Sequence, residues 1–342
     1  MKSSLALAVA LTLPAVVTAH HSRSHYPEVI EEITGELVAV HWVNPHVGFE
    51  IDVVDDAGQA DRWRIEGISN LGNMRRGGVS SDIFNIGEQV TFAGSVSIRR
   101  DNDMLASNML LADGTEVLLG RGEPLRFTSG AIEHQPQATE ATAVVDALAE
   151  DRGIWRVWSN VPNGVGQRTD FQFSQTAIDA RAEWNEVDNY TERCIDEGMP
   201  RIMRNPHPFE FIDRGGEIEI VSELYDLTRI VHMDQDEPPP GTEQSLLGYS
   251  VGRWEGETLV VTTSHIGWAY FDNIGTPQSD DASMMEEFTV SEDQTRLDYR
   301  FTFNDPIHFT EPAVYERYWL ALGDEIEVYD CQVFGESVSG LE

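Results

Sequence analysis

Lysine is almost absent from this sequence. Lys2 is the only lysine in 342 residues, so arginine carries the rest of the basic charge, and 59 Asp and Glu stand against 23 Lys and Arg. We therefore expect no nucleic-acid partner, because such a partner requires a basic surface that displaces counterions. An anionic membrane surface would be repelled for the same reason. A surface dense in carboxylates instead favours solubility in saline surroundings.

Long apolar runs are also scarce. After Ala19 no run approaches the roughly 18 residues that a membrane-crossing helix needs, so we expect no transmembrane segment. Residues 1–19 contain one basic residue, an apolar core over 5–17 and the small-residue end Val17-Thr18-Ala19, a pattern typical of secretory signals. We predict cleavage before His20 and a periplasmic or secreted protein.

Cysteine occurs only at Cys194 and Cys331. Disulfides persist in the oxidising compartments that an exported protein reaches, and one unpaired thiol there would be a liability. We predict a disulfide between the two. Two separate buried thiols, or a pair of metal ligands, are the alternatives.

The rest of the chain is long enough for two domains. Residues 128–150 lack periodicity and include a small, polar, proline-bearing stretch, so they are predicted to be a linker. Residues 20–127 contain short runs with period-2 alternation separated by turn sequences. Strands are predicted at 36–43, 47–54, 62–65 and 89–98. Five or six such strands predict a small OB-like barrel.

Residues 151–342 are also β-rich. A meander with one apolar side closes into an up-and-down barrel, which removes its exposed edges, and Gly153-Ile154-Trp155 resembles the opening of lipocalin-type barrels. One helix is predicted over 174–187, capped by Ser174. Strands are predicted at 209–212, 217–224, 228–233, 247–254, 258–263, 285–290, 296–303 and 325–329. The predicted fold is thus mainly β, a small OB-like barrel followed by a larger antiparallel lipocalin-like (calycin-type) barrel.

Several motifs resemble those of a bacterial exported family of unknown function. The amino-terminal module carries Ala19-His20-His21-Ser22 and Trp42-Val43-Asn44-Pro45-His46. The second unit resembles its companion domain through Gly198-Met199-Pro200-Arg201, residues 248–261 with Glu257 in place of the usual Asp, and Tyr329-Asp330-Cys331. The resemblance implies export but no established reaction.

Histidines form the first candidate site. Cleavage before His20 would leave an amino-terminal histidine that offers its α-amine and a ring nitrogen to one metal ion, and imidazole suits copper and zinc. His20, His21 and His46 are the candidate ligands, with copper the expected metal. His41 and His46, five apart, point to opposite faces of a regular strand, so a break at Asn44-Pro45 decides which of them meets His20. Trp42 or Glu66 is then expected to orient the ligand.

Polar residues of the larger barrel form the second candidate site. Arg229 with a carboxylate would form a bidentate ion pair. Asp234 or Glu286 could act as a general base beside His232 or His265. The candidate catalytic set is therefore Arg229, His232, Asp234 and Glu286. The wider set of polar residues is His207, Glu210, Glu223, Asp226, Glu255, His265, Asp305 and His308.

Aromatic residues of the same unit could line a pocket or fill the core. The candidate ligand-binding residues are Trp254, Trp268 and Tyr270. The letters of a nucleophile elbow occur at 248–252, but within a strand-like run that lacks the strand-turn-helix context.

Two functions follow from these patterns. The first is an exported protein that binds a small-molecule ligand or a metal ion, with copper at His20. The alternative is an enzyme, a hydrolase, lyase or isomerase, that uses acid/base residues of the larger barrel on a small apolar or glycosidic substrate.

Overall fold

A computed structural model of the chain describes residues 25–55, 57–120, 123–128, 131–132, 152–160, 171–184 and 190–332. The predicted signal peptide and most of the predicted linker lie outside these residues. Within the linker range, Ala131–Ile132 form a short strand that pairs with Glu116–Leu118. None of the helices in the described ranges has the length and apolar character needed to cross a bilayer.

The first unit is a small closed barrel. Strands β1 to β5 follow the order β3-β2-β1-β4-β5, and a parallel pairing of β3 with β5 closes the ring. This confirms the predicted OB-like barrel. Its elements are β1 (Glu31–His41), β2 (Gly48–Val54), β3 (Ala60–Gly67), α1 (Leu71–Arg76), β4 (Gln89–Val96), β5 (Asp103–Leu110), β6 (Glu116–Leu118) and β7 (Ala131–Ile132), with a 3-10 turn at Ser81–Ile83.

Side chains that point inwards at alternate positions of the strands fill the small barrel. Phe49 and Ile51 of β2 and Phe92 of β4 are completely buried in one core. Helix α1 covers this core with Leu71 and Met74. It begins at Asn70, whose side chain accepts a hydrogen bond from the backbone N–H of Asn73 at 2.7 Å, as an N-cap does.

The second unit is a larger, nearly closed barrel of nine strands. Neighbouring strands follow chain order, and a bridge between Ser159 and Leu320 links the two ends of the sheet. The elements are β8 (Val157–Trp158), α2 (Gln175–Glu183), β9 (Phe209–Asp213), β10 (Glu217–Ser222), β11 (Leu227–His232), β12 (Tyr249–Glu255), β13 (Thr258–Ser264), β14 (Ser283–Val290), β15 (Arg296–Asn304) and β16 (Ala313–Leu320), with 3-10 turns at Tyr190–Arg193, Arg201–Arg204 and Leu224–Asp226.

Two details differ from the predicted meander. β11 and β12 run parallel, because residues 233–248 connect them as a long crossover that contains Pro238-Pro239-Pro240 and cannot form a tight hairpin. The last strand is β16, whereas the predicted strand at 325–329 has no strand structure. Helix α2 does begin after Ser174, whose hydroxyl accepts from the N–H of Ala177 at 3.3 Å.

Side chains fill the interior of the larger barrel. Inward residues alternate along every long strand, and Trp158, Phe288, Tyr299, Phe301 and Trp319 are almost completely buried in a single core. Aromatic rings supply much of the buried apolar area that stabilises such a barrel. The space that a lipocalin-type barrel uses for a ligand is occupied here by the protein's own side chains.

A disulfide joins Cys194 to Cys331, as predicted. Its second cysteine also forms a parallel bridge with Asn44 of the small barrel. The covalent link therefore holds the last described segment of the chain between the two barrels.

Candidate functional site

The turn between β1 and β2 carries His46 and is fixed from three directions. The side chain of Asn44 accepts a hydrogen bond from the N–H of Leu71 at 3.1 Å, at the start of α1. Its backbone N–H donates to the carbonyl of Asp330 at 3.0 Å, and its own carbonyl accepts from Gln332 at 2.8 Å. The predicted break at Asn44-Pro45 is present, because β1 ends at His41 and β2 begins only at Gly48.

His46 is oriented by Glu66. Its Nδ1 lies 2.6 Å from Oε1 of Glu66, and about a third of each side chain is exposed, at 29% and 33%. A carboxylate only accepts hydrogen bonds, so in the neutral ring Nδ1 is the nitrogen that carries the proton and Nε2 the one with the lone pair. Histidines that bind metals through one nitrogen typically donate from the other nitrogen to a carboxylate. The pair therefore has the arrangement of a metal-ligating imidazole with its orienting acid.

The beginning of the described chain lies beside the same carboxylate. The carbonyl of His25 accepts from the N–H of Ile98 at 2.9 Å, and the Tyr26 hydroxyl donates to Asp103. Burial, the bond to Asp103 and the negative charge of Glu66 together raise the pKa of Tyr26 far above its usual range. The described chain thus begins within electrostatic range of the carboxylate that holds His46.

His41 belongs to a different pair. Its Nε2 lies 3.1 Å from Oε1 of Glu50, and Arg62 binds the other oxygen of Glu50 at 2.7 Å. The two histidines that flank Trp42 therefore have separate acidic partners. The partner that also lies near the incoming chain is that of His46.

His20 and His21 lie outside the described residues. Among the residues that the structure does describe, no group of three or more His, Cys, Asp or Glu side chains is placed to hold a metal ion. His46 with Glu66 therefore provides one oriented ligand, and a metal centre there needs further ligands from the preceding segment.

Arg229 and Glu286 meet inside the larger barrel. Arg229 donates Nη1 to Glu286 at 3.0 Å and Nη2 to its other carboxylate oxygen. Further bonds run from Arg229 to Ser250 at 2.9 Å and to Thr263 at 2.6 Å, and Tyr299 donates to Glu286 at 2.9 Å. Both members of the pair are buried and hydrogen-bonded on every side, so the arrangement is that of a structural ion pair.

His232 and Asp234 do not join this pair. His232 lies on the outer face of β11, 3.0 Å from Glu217, with its ring stacked on that of Tyr249 at 4.5 Å. Asp234 follows the strand, on the opposite side from Arg229 in the alternation, and is exposed. The structure thus brings together only Arg229 and Glu286 of the four candidate catalytic residues.

The predicted aromatic residues separate into two places. Trp254 is 45% exposed at the end of β12 and contacts Trp155, with ring centroids 6.1 Å apart. Trp268 and Tyr270 lie beyond β13, at the opposite end of the barrel, where both pack against Tyr190. They are therefore not parts of one pocket.

Sequence reasoning missed a buried polar cluster between the barrels. Arg76 of α1 forms a bidentate pair with Glu223, at 2.7 and 2.8 Å, and Nδ1 of His207 lies 3.5 Å from the same carboxylate. Gly72 makes this approach possible, because a Cβ there would lie 2.7 Å from Glu223. Arg76 and Glu223 are 147 residues apart, so no local pattern in the sequence could connect them.

This inter-barrel cluster (Arg76, Glu223 and His207) makes stability depend on pH. Burial alone would raise the pKa of Glu223, but Arg76 and then His207 outweigh it and lower that pKa to about 2 from 4.5. A lowered pKa stabilises the fold above the unfolded value, and the contribution disappears as the pH falls from about 4.5 to 2. Glu223→Gln is therefore expected to cost about 3 kcal/mol of unfolding free energy at pH 7 and progressively less towards pH 2.

Urea unfolding at a series of pH values tests this expectation. The matched control is Glu255→Gln, because Glu255 pairs with Arg253 at an exposed hairpin, where a salt bridge contributes about 1 kcal/mol or less. A cost of Glu223→Gln that stays constant from pH 7 to pH 2 would show that the carboxylate charge is not what stabilises the cluster.

Residues 8–104 match a family of unknown function, DUF6152. The matched range includes β1 to β4, the His46 turn and Glu66, and covers less than a third of the chain. No curated protein matches the chain. The amino-terminal module is thus similar to an uncharacterised family, and the match attaches no reaction to it.

Proposed function

We propose that this chain is an exported copper-binding protein. In the proposal, cleavage before His20 exposes an amino terminus whose α-amine and ring nitrogen bind one copper ion together with Nε2 of His46. His21 is the further candidate ligand. Nitrogen ligands of this kind favour copper, which stands at the top of the divalent series.

The bond between His46 and Glu66 carries the proposal. It fixes the ring and its tautomer before any metal arrives, as the carboxylates behind metal-binding histidines do. His20 stands five positions before His25, so the chain between them can span at most about 18 Å when extended. His25 and Tyr26 are held on the side of the barrel that carries Glu66.

The disulfide supports export. Disulfides form and persist in the periplasm and outside the cell and are rare in the cytosol, and Cys194 and Cys331 are joined. Localisation in the periplasm or outside the cell is accordingly part of the proposal.

Copper binding by correctly processed protein tests the proposal. Protein that begins at His20 is expected to bind one Cu(II) ion in calorimetry, with an electron paramagnetic resonance spectrum of nitrogen ligands. A methionine added before His20 converts the α-amine of His20 into a peptide nitrogen and is therefore expected to abolish tight copper binding. Glu66→Gln, which keeps the side-chain shape, is expected to weaken binding about 10- to 100-fold.

His46→Ala and His41→Ala form the matched pair. Each removes one histidine next to the same turn, but only His46 is bound to Glu66, whereas His41 is bound to Glu50. We expect His46→Ala to lose copper affinity and His41→Ala to retain it. Equal affinity of the processed and methionine-extended proteins, or of the two histidine variants, would contradict the proposed site.

A further inference from the structure

A group of phenylalanines lies at the end of the larger barrel where β12 begins. It is built from loops between strands and from the segment that leads into α2, whose Phe173 forms a bridge with Phe309. Ring centroids of neighbouring members lie 4.8 to 6.5 Å apart. The members are Phe171, Phe173, Phe271, Phe303 and Phe309.

The guanidinium of Arg204 lies within this aromatic end. Its central carbon is 5.4 Å from the ring centroid of Phe171, 5.0 Å from that of Phe271 and 5.3 Å from that of Tyr315. Within the described ranges Arg204 makes one hydrogen bond, which Nη1 donates to the carbonyl of Phe271 at 3.4 Å. Burial lowers the pKa of Arg204, and the positive charge of Arg201 lowers it further.

Arg204 has no acidic partner among the described residues. Of the acids, Asp272 acts on it most strongly, but its oxygens are already committed. One accepts from the N–H groups of Ile274 and Thr276, and the other from Arg181 at 2.8 Å. No carboxylate of the described chain therefore forms an ion pair with Arg204.

Two other arginines of this protein have a carboxylate partner inside the fold. Arg229 and Arg76 each form a bidentate pair with a glutamate. Arg317 donates to the carbonyl of Asn205 at 3.0 Å and to the side chain of Asn160. Arg317 thus also lacks a carboxylate partner among the described residues, and its Nε has no hydrogen-bond partner there. Of the two, Arg317 is buried, whereas Arg204 keeps partial contact with solvent.

The surroundings of Arg204 select a kind of ligand. The residue keeps partial contact with solvent, so donors on its edge are reachable, while aromatic rings flank the guanidinium. The planar fork of arginine matches a carboxylate. The rings of Phe171 and Phe173 are partly exposed and offer apolar surface to the rest of a molecule, whereas the other three phenylalanines are buried in the core. We propose that Arg204 anchors a small organic carboxylate with an aromatic or aliphatic body, at a site separate from the proposed copper centre.

Fluorine NMR of para-fluorobenzoate with the full-length processed protein tests this proposal. We expect the benzoate to bind the wild-type protein and the neutral para-fluorobenzyl alcohol to bind at least tenfold more weakly, because the alcohol offers no charge to Arg204. Arg204→Met keeps an unbranched apolar stem without the charge and is expected to lose the preference for the acid. Inorganic phosphate is expected not to displace the benzoate.

Two further variants separate a binding role from a structural one. Arg253→Gln removes the same charge from an exposed position near the end of β12 and is expected to bind the benzoate like the wild type. Arg204→Lys keeps the charge without the fork and should bind with intermediate affinity. Circular-dichroism melting checks the fold of each variant, and Arg204→Met is expected to melt at or above the wild-type temperature.

Several results would overturn the proposal. They are equal binding of acid and alcohol by the wild type, no binding of either, unchanged preference in Arg204→Met, or displacement of the benzoate by phosphate. The comparison of acid with alcohol needs no variant, so it decides the matter even if Arg204→Met fails to fold.

Discussion

Replacing Glu286 by alanine is expected to lower the free energy of unfolding by about 3 to 5 kcal/mol. Glu286 is completely buried and accepts hydrogen bonds from both Arg229 and Tyr299. Its removal would leave a buried guanidinium without a countercharge. Removing one partner of a buried ion pair destabilises a protein more than replacing both partners by apolar residues. Urea unfolding followed by tryptophan fluorescence measures the change.

Two comparisons make this expectation specific. Glu287, next along β14, points outwards and pairs with the exposed Arg300 at 2.8 Å, so Glu287→Ala should cost about 1 kcal/mol or less. The double variant Arg229→Met with Glu286→Leu removes both charges and should recover most of the loss. If Glu286→Ala cost no more than Glu287→Ala, the interior ion pair would have no role in stability.

Loss of the disulfide is expected to lower the free energy of unfolding by about 5 kcal/mol in the chain-entropy model. The bond joins residues 137 apart, and a loop of that length removes much freedom from the unfolded chain. The Cys194→Ser and Cys331→Ser double variant provides the measurement, by urea unfolding beside the oxidised protein.

Reduction of the wild type offers an internal check on this value. Reduced wild-type protein should match the double variant, and the double variant should not respond to the reductant. A reductant that leaves the unfolding of the wild type unchanged would contradict a stabilising role for the Cys194–Cys331 bond.

The sequence predicted the barrel strands that alternate. β14 and β15 place every second residue inwards, and their predicted positions differ from the observed ones by two residues or fewer. β5 could not be found in this way, because it pairs with three other strands and nearly all its residues are buried, on both faces. β16 alternates too, but Arg317 stands at an inward position and interrupts the apolar pattern.

The sequence predicts some contacts of the candidate sites and not others. The expectation that Glu66 or Trp42 orients a histidine of the turn, and that Arg229 pairs with a carboxylate, followed from residue type. The pair of Arg76 with Glu223 depends on how the two barrels pack against each other. This packing produces no periodic pattern in the sequence around either residue. The placement of Arg204 likewise arises from loops that meet only in the folded chain.

The parallel joint between β11 and β12 has a consequence for local opening of the barrel. These strands share two paired positions, Val231 with Ser250 and His232 with Val251, whereas β14 and β15 share eight. Arg229 crosses the joint from β11 and binds Ser250 on β12, Thr263 on β13 and Glu286 on β14. One side chain thus bridges the barrel at a place where the backbone ladder is short. Amide hydrogens along β11 and β12 should therefore exchange at a rate set by the bonds of Arg229 rather than by the ladder.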